Sequence, residues 1–334
     1  MRRVPLKILF PALGALLLML FALDMTVGGV HISPADLLRA LGGGDCDEVT
    51  RKIVINIRLV KAVVALLAGA ALSVSGLQMQ TLFRNPLAGP YVLGISSGAS
   101  LGVALFILGA PLLGMTGVMS SLGIAGAAWI GASLVLVVIA TVAHKIRDIM
   151  VILILGMMFS SGVSAVVEIL QYLSKDESLK AFVIWTMGSL GDVVASELWI
   201  LLPAVAVGLI LAVVSIKWLN ILLFGEEYAV TMGVDLRECR SIIFISTTLL
   251  AGTITAFCGP IGFVGLAIPH VARLVCGNSD HRVLLPATML IGASVLLGCD
   301  AISKLFVLPI NAITALLGIP IVVWVVLKNK SMSV

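Results

Sequence analysis

Charge is what this sequence has least of. Charged residues make up 11% of its 334 positions, where a soluble domain carries roughly a quarter. So few solvated groups cannot cover a globule, which excludes a soluble enzyme, a nucleic-acid binder and a disordered chain. Cysteine is sparse too. The five residues Cys46, Cys239, Cys258, Cys276 and Cys299 are scattered, with no C-x-x-C pair and no histidine nearby. Neither a metal centre nor a disulfide framework is written there. There is no G-x-x-x-x-G-K-[ST] run, and no basic stretch long enough to follow nucleic acid. If this chain takes part in an ATP-driven process, another chain supplies the ATPase.

What is present is apolar: 60% of residues, with a mean hydropathy of +1.19. The solvent is therefore lipid. A bilayer core takes about 20 apolar residues per helix, and that rule predicts ten spans. They lie near 8–27, 59–82, 92–110, 118–143, 149–172, 197–216, 241–258, 261–277, 283–300 and 309–327. The eighth is short and is interrupted by Pro269. The first apolar run follows Arg2, Arg3 and Lys7 and is too long for a signal peptide, so it reads as a retained span. The fold class expected is all-α and polytopic, one transmembrane unit over 1–334. With the N-terminus inside, 13 of the 21 Lys and Arg residues fall in inner segments and 8 in outer ones. That bias places both termini in the cytoplasm.

Two connections are long and polar. Residues 28–58 contain Ser33-Pro34-Ala35-Asp36, a helix start with serine as cap and proline in the first turn. Residues 217–240 are long for a helix hairpin. They read either as a solvated helix or as a docking element for a soluble partner.

Three chemical readings compete. Gly94-Ile95-Ser96-Ser97-Gly98 fits the nucleophile-elbow pattern, which would make Ser96 the nucleophile of an intramembrane serine protease. That motif needs a preceding strand and a histidine base, and His270 is the sole histidine expected at membrane depth. The bland reading is stronger, because Gly94, Gly98 and Gly102 recur every four residues and clear one helix face for close packing. An ion-coupled secondary transporter would bury a titratable group at the midplane. Glu168, Asp192, Glu197 and Asp300 instead fall near outer helix ends or in the 173–196 connection. Arg58 and Lys61 stand three residues apart at the outer mouth of the second span, with Lys304 at the outer end of the ninth. They are either snorkelling anchors or a cationic ring that receives an acidic partner.

Several stretches together resemble one family. These are Ile57-Arg58-Leu59-Val60-Lys61, Gly69-Ala70-Ala71-Leu72, Leu82-Phe83-Arg84-Asn85-Pro86-Leu87-Ala88 and Leu93-Gly94-Ile95-Ser96-Ser97-Gly98. Further along come Gly225-Glu226-Glu227, Gly259-Pro260-Ile261-Gly262-Phe263-Val264-Gly265-Leu266, Ile268-Pro269-His270-Val271-Ala272-Arg273 and Gly318-Ile319-Pro320. In order, and over nearly the whole chain, they are similar to the FecCD permeases. Those are membrane subunits of ABC importers for vitamin B12, haem and ferric siderophores.

The resemblance implies ten helices and a homodimer around a central pathway in a bacterial inner membrane. It also implies two cytoplasmic ATPase subunits, which use the ATP and Mg, and an extracytoplasmic substrate-binding protein; this chain itself would bind no cofactor or metal and catalyse nothing. The coupling positions carried over are Glu226, Ala229, Gly233 and Arg237. The docking cations carried over are Arg58, Lys61 and Lys304. The family shows Arg-Leu-Pro-Arg where Val60 and Lys61 take the last two places here, and Lys304 stands where arginine is common. Lysine keeps the charge but loses the bidentate fork. Gly156, Ser160, Ser161 and Ser164 are the candidate pathway lining, although helix packing explains them equally well. The turn with Arg147, Asp148 and Met150 is the candidate inner gate. The cargo expected is bulky, an iron chelate or haem ahead of cobalamin.

Overall fold

The computed structural model describes residues 5–109, 121–146 and 148–330. Among these, all regular structure is helical: α1 (Leu6–Thr26), α2 (Pro34–Gly42), α3 (Glu48–Leu82), α4 (Ile95–Gly109), α5 (Ser121–Lys145), α6 (Ile149–Leu173) and α7 (Asp176–Thr186). They continue as α8 (Leu198–Val214), α9 (Ile216–Leu222), α10 (Glu226–Thr231), α11 (Leu236–Cys258), α12 (Val264–Cys276), α13 (His281–Phe306) and α14 (Ile310–Lys330). Six of these are long and apolar enough to cross a membrane alone, α8 and α9 reach that length and hydropathy only as a pair bent by 50°, and α4, α12 and α14 are shorter apolar helices. Each overlaps an expected apolar run, although α3 starts at Glu48 rather than 59 and α11 at Leu236 rather than 241. Residue 110 of the third span and residues 118–120 of the fourth lie outside the described residues. Helices α2, α7 and α10 lie in connections where no span was expected, and α9 runs from the end of the expected 197–216 span into the connection after it.

Local signals act where the sequence places them. Ser33 Oγ accepts the Asp36 N–H at 3.1 Å to start α2, Pro34 occupies its first turn, and Gly43 in the left-handed region ends it. Pro269 sits inside α12 without ending it.

Helix α3 is the axis of the bundle, buried at nearly every position from Ala68 to Leu82. It can be so enclosed because its small residues admit neighbouring backbones. A Cβ on Gly69 would stand 2.3 Å from the Gly292 carbonyl oxygen of α13, and one on Gly76 would stand 1.7 Å from that of Gly265 in α12. Between α3 and α13, Ser73 Oγ lies 3.1 Å from the Thr288 carbonyl. The same device joins α4 to α5, where Cβ atoms on Gly98 and Gly102 would meet the carbonyls of Gly131 and Ala127 at 2.6 and 2.0 Å. Lipid supplies no hydrophobic drive between helices, so contact of this kind and interhelical hydrogen bonds hold the bundle. Buried Gln78 of α3 shows the second: its Nε2 donates to Ser215 Oγ at 3.3 Å, and its Oε1 lies 3.1 Å from Ser246 Oγ of α11.

Helix α1 is fastened at one end by charge. Asp24 is fully buried, and Lys304 Nζ of α13 lies 2.8 Å from its Oδ1 and 2.9 Å from Asp300 Oδ2. Lys61 Nζ of α3 lies 3.1 Å from Asp300 Oδ1. Beside them Arg58 donates to the carbonyls of Met25, Thr26 and Val30 at the end of α1. Residues Ile53–Leu59 wind as π-helix. That wider turn sets Arg58 on the α1 side of α3.

Two stability predictions follow from this packing. Gly76→Val meets backbone that cannot move aside, so it should cost more than the usual about 1–3 kcal/mol of overpacking. Gly298→Ala, in open space within α13, should be neutral or stabilising by up to about 1 kcal/mol. Thermal unfolding in detergent separates the two. Lys304→Met strands Asp24 beside Asp300 and should cost about 3–5 kcal/mol; Asp300→Asn added to that variant should recover part of the loss.

Candidate functional site

The loop expected to meet a partner is built from the bend at Ser215 onward. Helix α9 leads through Phe224 to Gly225, whose φ of +110° only glycine adopts freely, and α10 begins at Glu226. Both Glu226 carboxylate oxygens lie 2.7 Å from Arg240 Nη2, and Arg240 Nε donates to Oε1 at 3.2 Å. This bidentate pair fastens α10 to α11. Arg240 Nη1 also reaches the Ile146 carbonyl at 3.4 Å, at the turn between α5 and α6.

Of the coupling positions read from sequence, Glu226 therefore faces inward to Arg240. Ala229 is fully buried, in one apolar cluster with Leu222 and Cys239. These two hold the loop's shape rather than present its surface. Gly233 is exposed, with a φ of +80° and open space around it. Arg237 is exposed in the first turn of α11, where Asp235 accepts its N–H at 2.8 Å. The outward surface is apolar and was not anticipated: Phe224 is 73% exposed, Tyr228 is 51% exposed, and their rings lie 5.5 Å apart. Val230 and Met232 extend it. An aromatic pair inside an otherwise polar connection was the available signal.

The predicted inner gate divides. Arg147 lies outside the described residues. Asp148 is the N-cap of α6, its Oδ1 accepting the Met150 N–H at 2.8 Å, and Met150 is exposed. This turn follows Ile146, so the Glu226–Arg240 pair and the turn touch.

At the opposite end, each cation of the expected ring has partners within the chain. Arg58 is 4% exposed and satisfied by the three carbonyls of the α1 end. Lys304 is enclosed by Asp24 and Asp300. Desolvation is affordable for both only because the partners lie within the chain. Lys61 keeps 21% of its side chain exposed while pairing with Asp300. The sequence reading missed Asp24 because it lies inside an apolar run and its partner Lys304 is 280 residues away in sequence.

Of the four pathway candidates, Ser164 lines a cavity of about 260 Å³ between α4, α6 and α7. Its other polar walls are Ser96, Ser97, Ser100, Glu168, Gln171 and Thr186. Gly156 packs against the Val92 carbonyl, Ser160 donates to the Gly156 carbonyl and Ser161 to that of Met157. These three serve helix structure. Ser96 follows a left-handed Gly94 into α4 with no strand before it. His270 lies against the Pro86 carbonyl and His281 against Thr81 and Asn220, so neither is paired with Ser96. The elbow reading fails.

The model of the FecCD transport family matches residues 16–328. The vitamin B12 import system permease protein BtuC of Klebsiella pneumoniae is 37% identical over 322 residues, covering 95% of this chain and 93% of that protein. The hemin transport system permease protein HmuU of Yersinia pestis is 35% identical over 328 residues, covering 95% and 96%. A solved ABC transporter of metal-chelate type, in an inward-facing conformation, superposes with a TM-score of 0.83 at 31% identity, covering 96% of this chain and 99% of the other. With its bundle of apolar helices, this multi-pass membrane chain belongs to the FecCD transport family and is a permease subunit of an ABC importer.

Proposed function

We propose that two copies of this chain enclose a pathway for a bulky cofactor-like cargo: haem, a cobalamin or an iron chelate. The relatives are named for vitamin B12 and hemin, and the solved neighbour for a metal chelate. Two separate ATPase subunits dock on the cytoplasmic surface formed by Phe224, Tyr228, Val230, Met232, Gly233 and Arg237, and a binding protein delivers cargo at the other face. The observation that carries this reading is that exposed aromatic surface. It stands on a short helix fixed from behind by the Glu226–Arg240 pair, in a chain that contains no ATPase motif. An apolar patch with a polar, ion-paired support is the form of a protein–protein contact.

Movement of the ATPase would reach the bundle through α9 and α10, and through Arg240 to the α5–α6 turn. The hydroxyl-lined cavity at α4, α6 and α7 offers many weak hydrogen-bonding groups, which suits a cargo that must be released as readily as it is admitted. Docking of the binding protein would use Lys61, the most exposed of the three cations, together with the α2–α3 connection. Arg58 and Lys304 support that surface from inside.

Reconstituted in vesicles with the ATPase and the binding protein, the chain should take up haemin or cyanocobalamin only when ATP is supplied. Accumulation by the chain alone would remove the importer reading. Within the loop, Gly233→Val forces a branched side chain into left-handed backbone at a cost of about 1–3 kcal/mol. It should lower uptake, whereas Gly233→Asn, which tolerates that geometry, should retain most of it.

A further inference from the structure

Near the end of α9, Asn220 is hydrogen-bonded to the start of α13. Asn220 Nδ2 donates to Asp280 Oδ1 at 2.7 Å. Its Oδ1 lies 2.8 Å from the His281 backbone N–H and 2.8 Å from His281 Nδ1. Only this orientation of the amide matches donors to acceptors, because the carboxylate can only accept and the backbone N–H can only donate. It follows that Nδ1 carries the imidazole proton. Nε2, 2.9 Å from Thr81 Oγ1, then shares the one hydroxyl hydrogen with the Leu77 carbonyl, also 2.9 Å away. His281 is 1% exposed, and Asp280 Oδ1 also caps α13 by accepting the Arg282 N–H at 2.9 Å. One unbroken chain of hydrogen bonds thus runs from α9, through the first turn of α13, to the last turn of α3.

Those two helices then travel together. They touch at Gly69 and Gly292 and at Ser73 and Thr288. Over the 26 residues of α13, about 39 Å at the α-helical rise, they reach the opposite end. There Lys61 of α3 meets Asp300 of α13, and Lys304 of α13 holds Asp24 of α1. Tightly packed helices at backbone contact shift as a body rather than bend.

We infer that Asn220 is the positioning residue that passes movement of the α9–α10 segment to the α3–α13 pair, and with it to the charge cluster at the far end. This rests on the importer reading. Asn220 contacts neither cargo nor nucleotide; it acts through Asp280 and His281.

The test uses the complete complex of permease, ATPase and binding protein in vesicles, with haemin or cyanocobalamin as cargo and the ratio of solute imported to ATP hydrolysed as readout. Asn220→Ala removes a bond to a charged group and two acceptor contacts, so the ratio should fall about tenfold or more, with assembly and ATP hydrolysis kept. Asn220→Asp alone sets two carboxylates face to face and should be equally impaired. Combining Asn220→Asp with Asp280→Asn exchanges donor and acceptor. The introduced carboxylate still accepts from His281, while an amide nitrogen in the place of Asp280 Oδ1 can donate to it but cannot also accept the Arg282 N–H, so the swap keeps the α9 contact at the expense of the α13 cap. That double variant should restore part of the ratio lost in Asn220→Asp, which a loss of folding would not allow. An unchanged ratio in Asn220→Ala, loss of ATPase binding in it, or a double variant no better than Asn220→Asp overturns the assignment. ATP-driven uptake that is absent from the unaltered complex overturns the importer reading instead.

Discussion

Backbone contact between α3 and α13 is the constraint on which the other features depend. Where Gly69 meets Gly292 there is room for no side chain at all, so the two helices have one relative position. That position allows Ser73 to reach the Thr288 carbonyl. It also sets Lys61 beside Asp300 at one end and Thr81 beside His281 at the other. A looser crossing with larger residues would separate both polar clusters, which lie near the two ends of the same pair. In lipid, where apolar contact between helices gains nothing over contact with acyl chains, such shape constraints replace the hydrophobic core of a soluble domain.

The charged cluster has a different character from the surface ring that cation spacing suggests. Three cations and two acids are enclosed together, and each cation is matched to a carboxylate or to exposed helix-end carbonyls. The net gain in stability from such a cluster is small, since desolvation cancels much of the attraction. Its effect is on register: removal of Lys304 leaves Asp24 without its cation, and removal of Asp300 leaves Lys61 without its carboxylate. Arg58 shows how local winding serves this, because the π-helical turn at Ile53–Leu59 adds a residue and so rotates its side chain onto the last carbonyls of α1.

Much of this was legible in the sequence. The all-helical, multi-pass class was readable from length and hydropathy alone, because lipid forces each crossing to be helical, and six helices are long and apolar enough to cross by themselves. The Gly94, Gly98 and Gly102 spacing announced a close helix contact, and α4 against α5 provides it. The site was less legible. Arg58, Lys61 and Lys304 were visible as cations, but their partners are set by tertiary contact; Asp24 lies 280 residues from Lys304. Ala229 and Glu226 were legible as members of the loop, yet nothing in their order tells that both face inward. The exposed surface of Phe224 and Tyr228 was missed because aromatic residues in a membrane chain are read by default as lipid-facing or core.

The distribution of exposed apolar surface follows from the same physics. Apolar helices such as α6 and α8 expose many large apolar side chains, as a chain surrounded by lipid can, so exposure there identifies nothing. On α10 the situation differs, since this helix has six residues and begins with two glutamates, and it cannot cross a bilayer. Water would meet Phe224 and Tyr228 there unless another surface covers them. The support behind them is rigid in two directions: Glu226 to Arg240 fixes α10 against α11, and Asn220 to His281 fixes α9 against α13. A flexible loop would absorb a push from a bound partner. One tied at two points passes it into α11 and α13, and through α13 into the helix whose small residues leave it no freedom to move alone.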